Sequence, residues 1–367
     1  MARTTPVVFC LLACAGGAFA QEQLNLADIR KNNFPSIDRQ RVQSWTQQRI
    51  TQLLASTDPM KDGPAFIAEI NQHFDAKDAT PAFKTGMAEV LATAFAAVYK
   101  PSAQSNPAAA LSTVFLLTLI RSHETPPAVA CYKLAIGDSA SSVRLLAAEG
   151  LLRGKIAAQD WDTLLPELQK QASIETDPAT MDRLYRVLTM NGGPAVDRVV
   201  PVLIAILDSR LTRFEQKGEF PAVADANVIA WLAGKFAQIT NNQTKNNVVL
   251  RAARLLADAV HHYTQTESGA DQREQLERVV LITEQQLKAM ARVAGGPAQP
   301  DVTTAMTDGG TDRNAKMQKA MDGWIGTPQT AGVLNGAPYN FERGLGIKRP
   351  APATGPSATA PATGPAR

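Results

Sequence analysis

The chain has 367 residues, of which 45% are apolar and 19% are charged, so it can bury a sizeable core. Its formal net charge of +3 gives no overall attraction to nucleic acid, and a nucleic-acid partner is not predicted. Three cysteines are too few for a disulfide scaffold, and 6% aromatic residues beside abundant alanine and leucine favour packed helices over β-sheets.

The N terminus has the three parts of a secretory signal peptide. Arg3 precedes the apolar run VVFCLLACA, residues 7–15, and an Ala-x-Ala motif ends at Ala20. The apolar run is shorter than the roughly 20 residues that span a bilayer as a helix, so no transmembrane helix is predicted. We expect residues 1–20 to be a signal peptide cleaved between Ala20 and Gln21. The mature protein would then be periplasmic or extracellular.

A second interpretation of the same region concerns Cys14. The run Leu-Leu-Ala-Cys that ends at Cys14 resembles the lipobox of bacterial lipoproteins, in which the cysteine is acylated. On this alternative, Cys14 anchors the mature chain to a membrane. Cleavage after Ala20 would instead remove Cys10 and Cys14 and leave Cys131, which lies in an apolar helical stretch and is expected to be a buried core residue.

From about residue 34 to 294, apolar residues recur at helical spacing, and no stretch alternates as a strand does. Several helix starts place a capping side chain before a proline, namely Thr80–Pro81, Asn106–Pro107, Thr125–Pro126 and Asp177–Pro178. The predicted helices span 36–56, 64–75, 81–100, 107–122, 126–136, 141–153, 161–174, 178–190, 194–209, 223–240, 246–264 and 271–293. We expect them to form one helical-repeat domain at 21–295.

Two sequence patterns repeat within this domain. An Asp-opened, Arg-bearing segment at Asp138 recurs in outline at Asp177, 39 residues later. A Leu-Leu-Pro segment around Pro166 recurs as Val-Val-Pro around Pro201, 35 residues later. A period of 35–40 residues built from two helices is typical of an α-solenoid, because each pair buries its apolar face only against the next pair.

The repeated segments resemble a known family. DSASSVRLLAAEGLL, residues 138–152, resembles the second helix of a HEAT-type repeat, and VVPVLIAILDS, residues 199–209, resembles the first. The resemblance implies an all-α fold, an α-solenoid of stacked antiparallel helix pairs. It also implies a structural ladder along the turns and proline-bent first helices at Pro166 and Pro201. The implied ladder residues are Asp138, Arg144, Asp177, Arg183 and Arg251. One irregular helical bundle is the rival architecture.

The C-terminal part changes character after residue 295. Residues 296–348 are Gly-rich and extended, with one short helix predicted from Asp312 to Gly323. Isolated apolar residues could pin this segment onto the helices, and partial disorder is the alternative; these residues are Trp324, Tyr339, Phe341 and Leu345. Residues 349–367 repeat the motif APATGP and are predicted to be a disordered Pro/Ala-rich tail.

A search for catalytic and metal-binding motifs finds none. The histidines His73, His123, His261 and His262 lack metal-ligand spacing, and exposed helix-end positions are expected for His261 and His262. No nucleophile elbow and no phosphate-binding loop are present. We therefore predict no catalytic residue, no metal and no cofactor.

Two functions from different classes remain open. The first is a non-catalytic scaffold of the cell envelope or extracellular space that binds a protein or peptide through its solenoid surface. Its contact residues would lie on second helices at 141–153, 178–190 and 246–264. The alternative is an enzyme that acts on an envelope polymer with carboxylates dispersed on the helices, for which Glu149 is a candidate acid.

Overall fold

In a computed structural model, the chain is built from α-helices. The structure describes residues 24–101, 106–265, 269–291, 299–308 and 310–347, and within these ranges it has no β-strand. The all-α prediction is therefore confirmed for the described residues. The predictions of a signal peptide, of cleavage at Ala20–Gln21, of acylation at Cys14 and of the tail at 349–367 lie outside them. No helix in the described ranges combines the length and apolar character needed to cross a membrane.

The helices α1 to α15 have the following bounds in chain order: Leu26–Ile29, Ser36–Leu54, Pro59–Phe74, Pro81–Val98, Pro107–Ser122, Ala128–Ala135, Ser141–Arg153, Trp161–Ile174, Pro178–Thr189, Val196–Lys217, Val223–Lys235, Asn242–Gln265, Ala270–Met290, Val302–Thr307 and Arg313–Ile325. Each helix predicted between residues 36 and 293 is present; α5, α7 and α8 have the predicted bounds, and the others have one or both ends shifted. The short helices α1 and α14 were not predicted.

Three of the four predicted proline starts have the expected cap. The side chains of Thr80, Asn106 and Asp177 each accept a backbone N–H of the helix that they precede. The start predicted at Thr125–Pro126 is wrong, because α6 begins only at Ala128 and has no side-chain cap. Two successive prolines lack N–H groups there, and the first turn is closed instead by Ala128 N–H donating to the Thr125 carbonyl.

Two other helix ends differ from the prediction for local reasons. Helix α3 begins at Pro59 rather than 64, because Asp58 accepts the Lys61 N–H and starts the helix one turn earlier. Pro64 therefore lies inside the helix. Helix α10 continues to Lys217 and ends at Gly218, whose φ of 65° favours glycine.

The helices pack in two rows. The first row holds α2, α4 and α6 and then α8, α10 and α12, while the second row holds α3, α5, α7, α9, α11 and α13. Each first-row helix also contacts the second-row helix that follows it in the chain. Because successive helices alternate between rows, α12 lies beside α10. The prediction that 246–264 is a second helix equivalent to 141–153 and 178–190 is therefore wrong, and α11 and α13 hold that position.

The C-terminal segment packs on the last two helices of the rows. Its helix α15, predicted from Asp312 to Gly323, contacts α12, and the additional helix α14 contacts α13. Of the four predicted pinning residues, Trp324 and Leu345 are buried, while Tyr339 and Phe341 are half-buried. The Tyr339 hydroxyl donates to the Met290 carbonyl at 3.2 Å.

A buried carboxylate on α13 joins this segment to the rows. Glu284, with no exposed surface, accepts the backbone N–H groups of Val302 and Thr303 at 2.7 Å and the Trp324 indole N–H at 3.2 Å. The start of α14 is thus fixed by a residue of another helix. A local cap contributes as well, because the Asp301 side chain accepts the Thr304 N–H at 2.8 Å; the sequence analysis did not identify it.

Candidate functional site

Arg144 is the centre of the first of two buried ionic contacts between helices. Its guanidinium donates to Glu175 at 2.9 and 2.5 Å and to the Asp138 carbonyl at 2.6 Å. Asp138 itself accepts the Tyr99 hydroxyl at 2.6 Å. Arg144 and Glu175 are 5% and 1% exposed. These bonds link α7 to the turns before α7 and before α9, so both predicted residues take part in inter-helix contacts.

The second buried contact was not predicted. Arg210 on α10 donates to Asp225 at 2.5 and 3.0 Å and to the Glu175 carbonyl at 2.9 Å. Asp225 also accepts the Tyr185 hydroxyl at 2.8 Å and the Ala222 N–H at 3.1 Å. Glu175 therefore joins the two contacts, with its side chain on Arg144 and its carbonyl on Arg210. We call this set the buried ladder.

The sequence contains a signal for this second contact. Tyr99 donates to an aspartate 39 residues later, and Tyr185 donates to an aspartate 40 residues later. This matching spacing could have identified Tyr185 and Asp225 as a pair equivalent to Tyr99 and Asp138. Burial and the carboxylate partner raise the pKa of Tyr99, and burial raises the pKa of Tyr185 well above its usual range. Both hydroxyls therefore stay protonated as hydrogen-bond donors.

Of the other three predicted ladder residues, Asp177 contacts Glu175 through its backbone N–H at 3.0 Å, while Arg183 and Arg251 lie elsewhere. Asp177 caps its own helix by accepting the Thr180 N–H at 2.8 Å. Arg183 on α9 is 2.6 Å from Asp182 and 3.6 Å from Glu149, within the second row. Arg251 on α12 donates to Asp208 on α10 at 2.8 and 2.7 Å, in the first row. The structure thus does not bring the five predicted residues together.

Pro166 and Pro201 both lie inside helices, as does Pro64. Each is five residues after the first residue of its helix, in α8, α10 and α3 respectively. A proline at this position leaves the carbonyl four residues earlier without its helical partner. Pro166 and Pro201 lie in neighbouring first-row helices, whereas Pro64 lies in a second-row helix, so only the first two occupy equivalent positions.

Glu149 is part of a chain of ion pairs across three helices. It pairs with Arg121 on α5 and with Arg183 on α9, and Asp182 pairs with both Arg183 and Arg186. A carboxylate held between two guanidinium groups is an acceptor in a salt-bridge network. This geometry supports a structural role for Glu149.

The histidines do not form a metal centre. His123 stacks on Phe74 with ring centroids 3.7 Å apart, and burial lowers its pKa. Burial and the neighbouring Arg30 lower the pKa of His73. His262 is 7% exposed beside Phe220, so the expectation of an exposed position is wrong for it. In the ranges that the structure describes, no group of three or more His, Cys, Asp or Glu residues could hold an ion.

Cys131 has no exposed surface, as predicted. Its thiol lies 3.0 Å from the Ala92 carbonyl, and burial raises its pKa to about 12. The thiolate that a nucleophile or a metal ligand requires is therefore disfavoured.

The first open feature is a groove of about 590 Å³ between α6 and α8. Its walls combine apolar residues from both helices, such as Leu134 and Leu164, with Lys133 and with the Lys170–Glu167 ion pair. Leu134 is 37% exposed. The groove exists because α6 has eight residues, whereas α4 has 18 and α8 has 14, so α6 covers less of its neighbour. We call it the α6/α8 groove.

The second and larger open feature is a groove of about 890 Å³ along α2. One wall is the outward stripe of α2 from Ile37 to Gln52, and the others come from residues 24–27 and from α3. Helix α2 begins the first row, so no preceding row helix covers this stripe. We call it the α2 groove.

Comparison of the chain with protein-family models, with curated proteins and with solved structures found no match.

Proposed function

We propose that the protein is an exported, non-catalytic scaffold that binds another protein through a HEAT-like α-solenoid. The export rests on the signal-peptide pattern, with acylation of Cys14 as its membrane-anchored variant. The solenoid rests on the two helix rows and on the buried ladder between successive turns. In this proposal the helix pairs are α2–α3, α4–α5, α6–α7, α8–α9, α10–α11 and α12–α13, each pair antiparallel.

Long-range hydrogen bonds support a repeat of about 40 residues. The Thr180 hydroxyl donates to the Ser141 carbonyl 39 residues away, and Arg213 donates to the Ser173 carbonyl 40 residues away. Arg254 donates to Glu215 across 39 residues. A stack of similar pairs produces such constant separations, because each residue meets its counterpart in the next pair.

The α6/α8 groove is the observation that carries the binding proposal. Neighbouring helices pack closely elsewhere along the first row, but between α6 and α8 they leave an apolar groove with Leu134 at its surface. A partner that buried Leu134 and the exposed Ala130 would gain apolar contacts that the chain itself does not make. Lys133 pairs with Asp160 at 2.6 Å and Lys170 with Glu167 at 3.4 Å, so the apolar surface rather than an unpaired charge carries the proposal.

The test is capture from native cells with two matched variants. L134D places a carboxylate in the groove, and L281D makes the same change at another exposed leucine, on α13, which is 48% exposed. We expect a partner that binds wild-type protein and L281D, that is lost with L134D, and that binds the purified protein directly. Equal capture by all three proteins would contradict the role of this groove.

A further inference from the structure

A short segment before the first row, residues 24–33, lies beside α2 and α3. It contains the four-residue helix α1, whose Leu26 and Ile29 are 4% and 7% exposed. Residues 24–27 also form one wall of the α2 groove. We call residues 24–33 the N-terminal strap. Because the strap is a wall of the groove, its movement would widen the groove.

Polar contacts hold the strap to the turn between α3 and α4. The Arg30 carbonyl accepts the Thr80 N–H at 2.9 Å, and the Thr80 hydroxyl donates to the Asn32 carbonyl at 2.8 Å. The Arg30 guanidinium lies 2.8 Å from the Asp78 carboxylate. Arg30 therefore attaches the strap to this turn through both its main chain and its side chain.

Phe34 follows the strap and anchors its end. The ring is 8% exposed, packs edge-on against Phe83 with centroids 5.5 Å apart, and fills the space in which a Cβ on Gly86 would lie 2.3 Å from it. The backbone of Phe34 has a φ of 53°, which is unfavourable for a bulky residue. A fixed ring beside a strained backbone makes Phe34 a pivot about which the strap can turn.

His73 on α3 is the titratable contact of the strap. Its Nδ1 lies 3.5 Å from Arg30 Nη1, and because a guanidinium only donates hydrogen bonds, Nδ1 is the acceptor. The ring is therefore neutral in this contact. Protonation of Nδ1 would remove the acceptor and place a second cation beside the guanidinium.

The charges around His73 oppose its protonation. Burial and Arg30 lower the pKa of His73, while Glu69 acts in the opposite direction. The hydrogen bond from Arg30 lowers the pKa of Asp78, so this carboxylate stays ionised in mild acid. The ionisable groups around His73 are Asp28, Arg30 and Lys31 on the strap, Arg41 and Arg49 on α2, Glu69 on α3, and Asp78 in the turn after it.

We propose that protonation of His73 loosens the N-terminal strap from α3 and opens the α2 groove in mild acid. The imidazolium repels Arg30 and is attracted to Glu69, which lies four residues earlier on the same face of α3. With the strap open, His73 is in water and takes up its proton at the ordinary pKa of about 6.5, above its pKa under the closed strap. The closed state is therefore fully favoured above that pH and loses stability as the pH falls below it.

The other histidine near this end of α3 lacks this property. His123 Nε2 lies 3.2 Å from Asn71 Oδ1, and because the amide oxygen only accepts, Nε2 is the donor. An imidazolium donates as well as a neutral ring does, so protonation of His123 keeps this bond. H123Q is therefore a matched control for variants of His73.

The experiment measures hydrogen exchange of the mature protein at pH 7 and pH 5 by mass spectrometry. Each rate is divided by the intrinsic rate of an unstructured chain at the same pH, which leaves the opening equilibrium. We expect opening of residues 24–33 to rise at least about threefold at pH 5 in the wild type and in H123Q, while the buried stretch of α12 stays unchanged. In H73Q, whose amide oxygen accepts from Arg30 at either pH, opening of the strap should stay constant.

A permanent charge provides an independent test at a single pH. H73K places a cation beside Arg30, and Q72K adds the same charge at the exposed position next to it on α3. At pH 7, H73K should raise strap opening at least about threefold, and Q72K should leave it at the wild-type value. Circular dichroism melts verify that the variants fold. The proposal is overturned if the wild-type strap opens equally at both pH values, if H73Q opens in acid as the wild type does, or if H73K opens no more than Q72K.

Discussion

Removal of the Asp225 carboxylate should be among the most damaging single changes in the chain. Asp225 accepts hydrogen bonds from Arg210, from the Tyr185 hydroxyl and from the Ala222 N–H, and it has no exposed surface. In D225A the Arg210 guanidinium stays buried with only the Glu175 carbonyl as acceptor. Breaking a buried ion pair in this way costs about 3–5 kcal/mol of unfolding free energy.

A half-exposed ion pair provides the matched control. Asp208 pairs with Arg251, and its side chain is 40% exposed, so solvent screens the interaction. D208A should lower the free energy of unfolding by no more than about 1 kcal/mol. Y185F removes one of the hydrogen bonds to Asp225. It should lower the free energy of unfolding by about 1 kcal/mol, which is less than the loss expected for D225A.

The assay is urea unfolding of the mature protein followed by helical circular dichroism. We expect the midpoint for D225A to fall well below that for D208A, with a similar slope if unfolding stays cooperative. Equal costs for D225A and D208A, each near 1 kcal/mol, would refute the claim that the buried ladder holds successive turns together. A large loss of unfolding free energy in D208A but not in D225A would instead assign that role to the Asp208–Arg251 pair.

Three further predictions concern single side chains. The Cys131 thiol, whose pKa burial raises to about 12, should react with a disulfide reagent only at the rate of unfolding, and fast labelling of native protein would contradict its burial. Burial lowers the pKa of His123 below the 6.5 of an unfolded chain, so the unfolded state takes up the proton first and stability should fall as the pH drops below about 6.5. H123Q should reduce this dependence of stability on pH, measured by melts at several pH values. An unchanged dependence would contradict the assignment to His123. E284A leaves the Val302, Thr303 and Trp324 donors without their acceptor, so limited proteolysis should cut residues 310–347 faster than in wild type, whereas an unchanged digestion pattern would show that the carboxylate does not hold this segment.

Local signals made most helix starts predictable. A capping side chain followed by proline acts within one turn, so Thr80, Asn106 and Asp177 could be assigned from the sequence alone. Where a cap lies at a distance, local rules fail. Helix α14 has a local cap at Asp301, but its first N–H groups also bond to Glu284, 18 residues before Val302, and no local pattern indicates that contact.

Row membership and the ionic contacts depend on tertiary packing. The sequence related Arg144, Arg183 and Arg251 by their helical setting, but α7 and α9 lie in the second row and α12 lies in the first. Arg210 was missed because its partner Asp225 lies on the following helix and shows no local pairing pattern. The α6/α8 groove was likewise invisible, since it results from the length of α6 relative to its neighbours rather than from any motif.

Site-specific photo-crosslinking in the native cell tests the scaffold proposal most directly. A photoreactive residue at position 134 lies in the α6/α8 groove, and one at position 281 lies on an exposed face of α13. The proposal predicts that position 134 crosslinks a single partner through an apolar segment of that protein, and that position 281 does not. Identical crosslinking from both positions, or none from position 134, would contradict it.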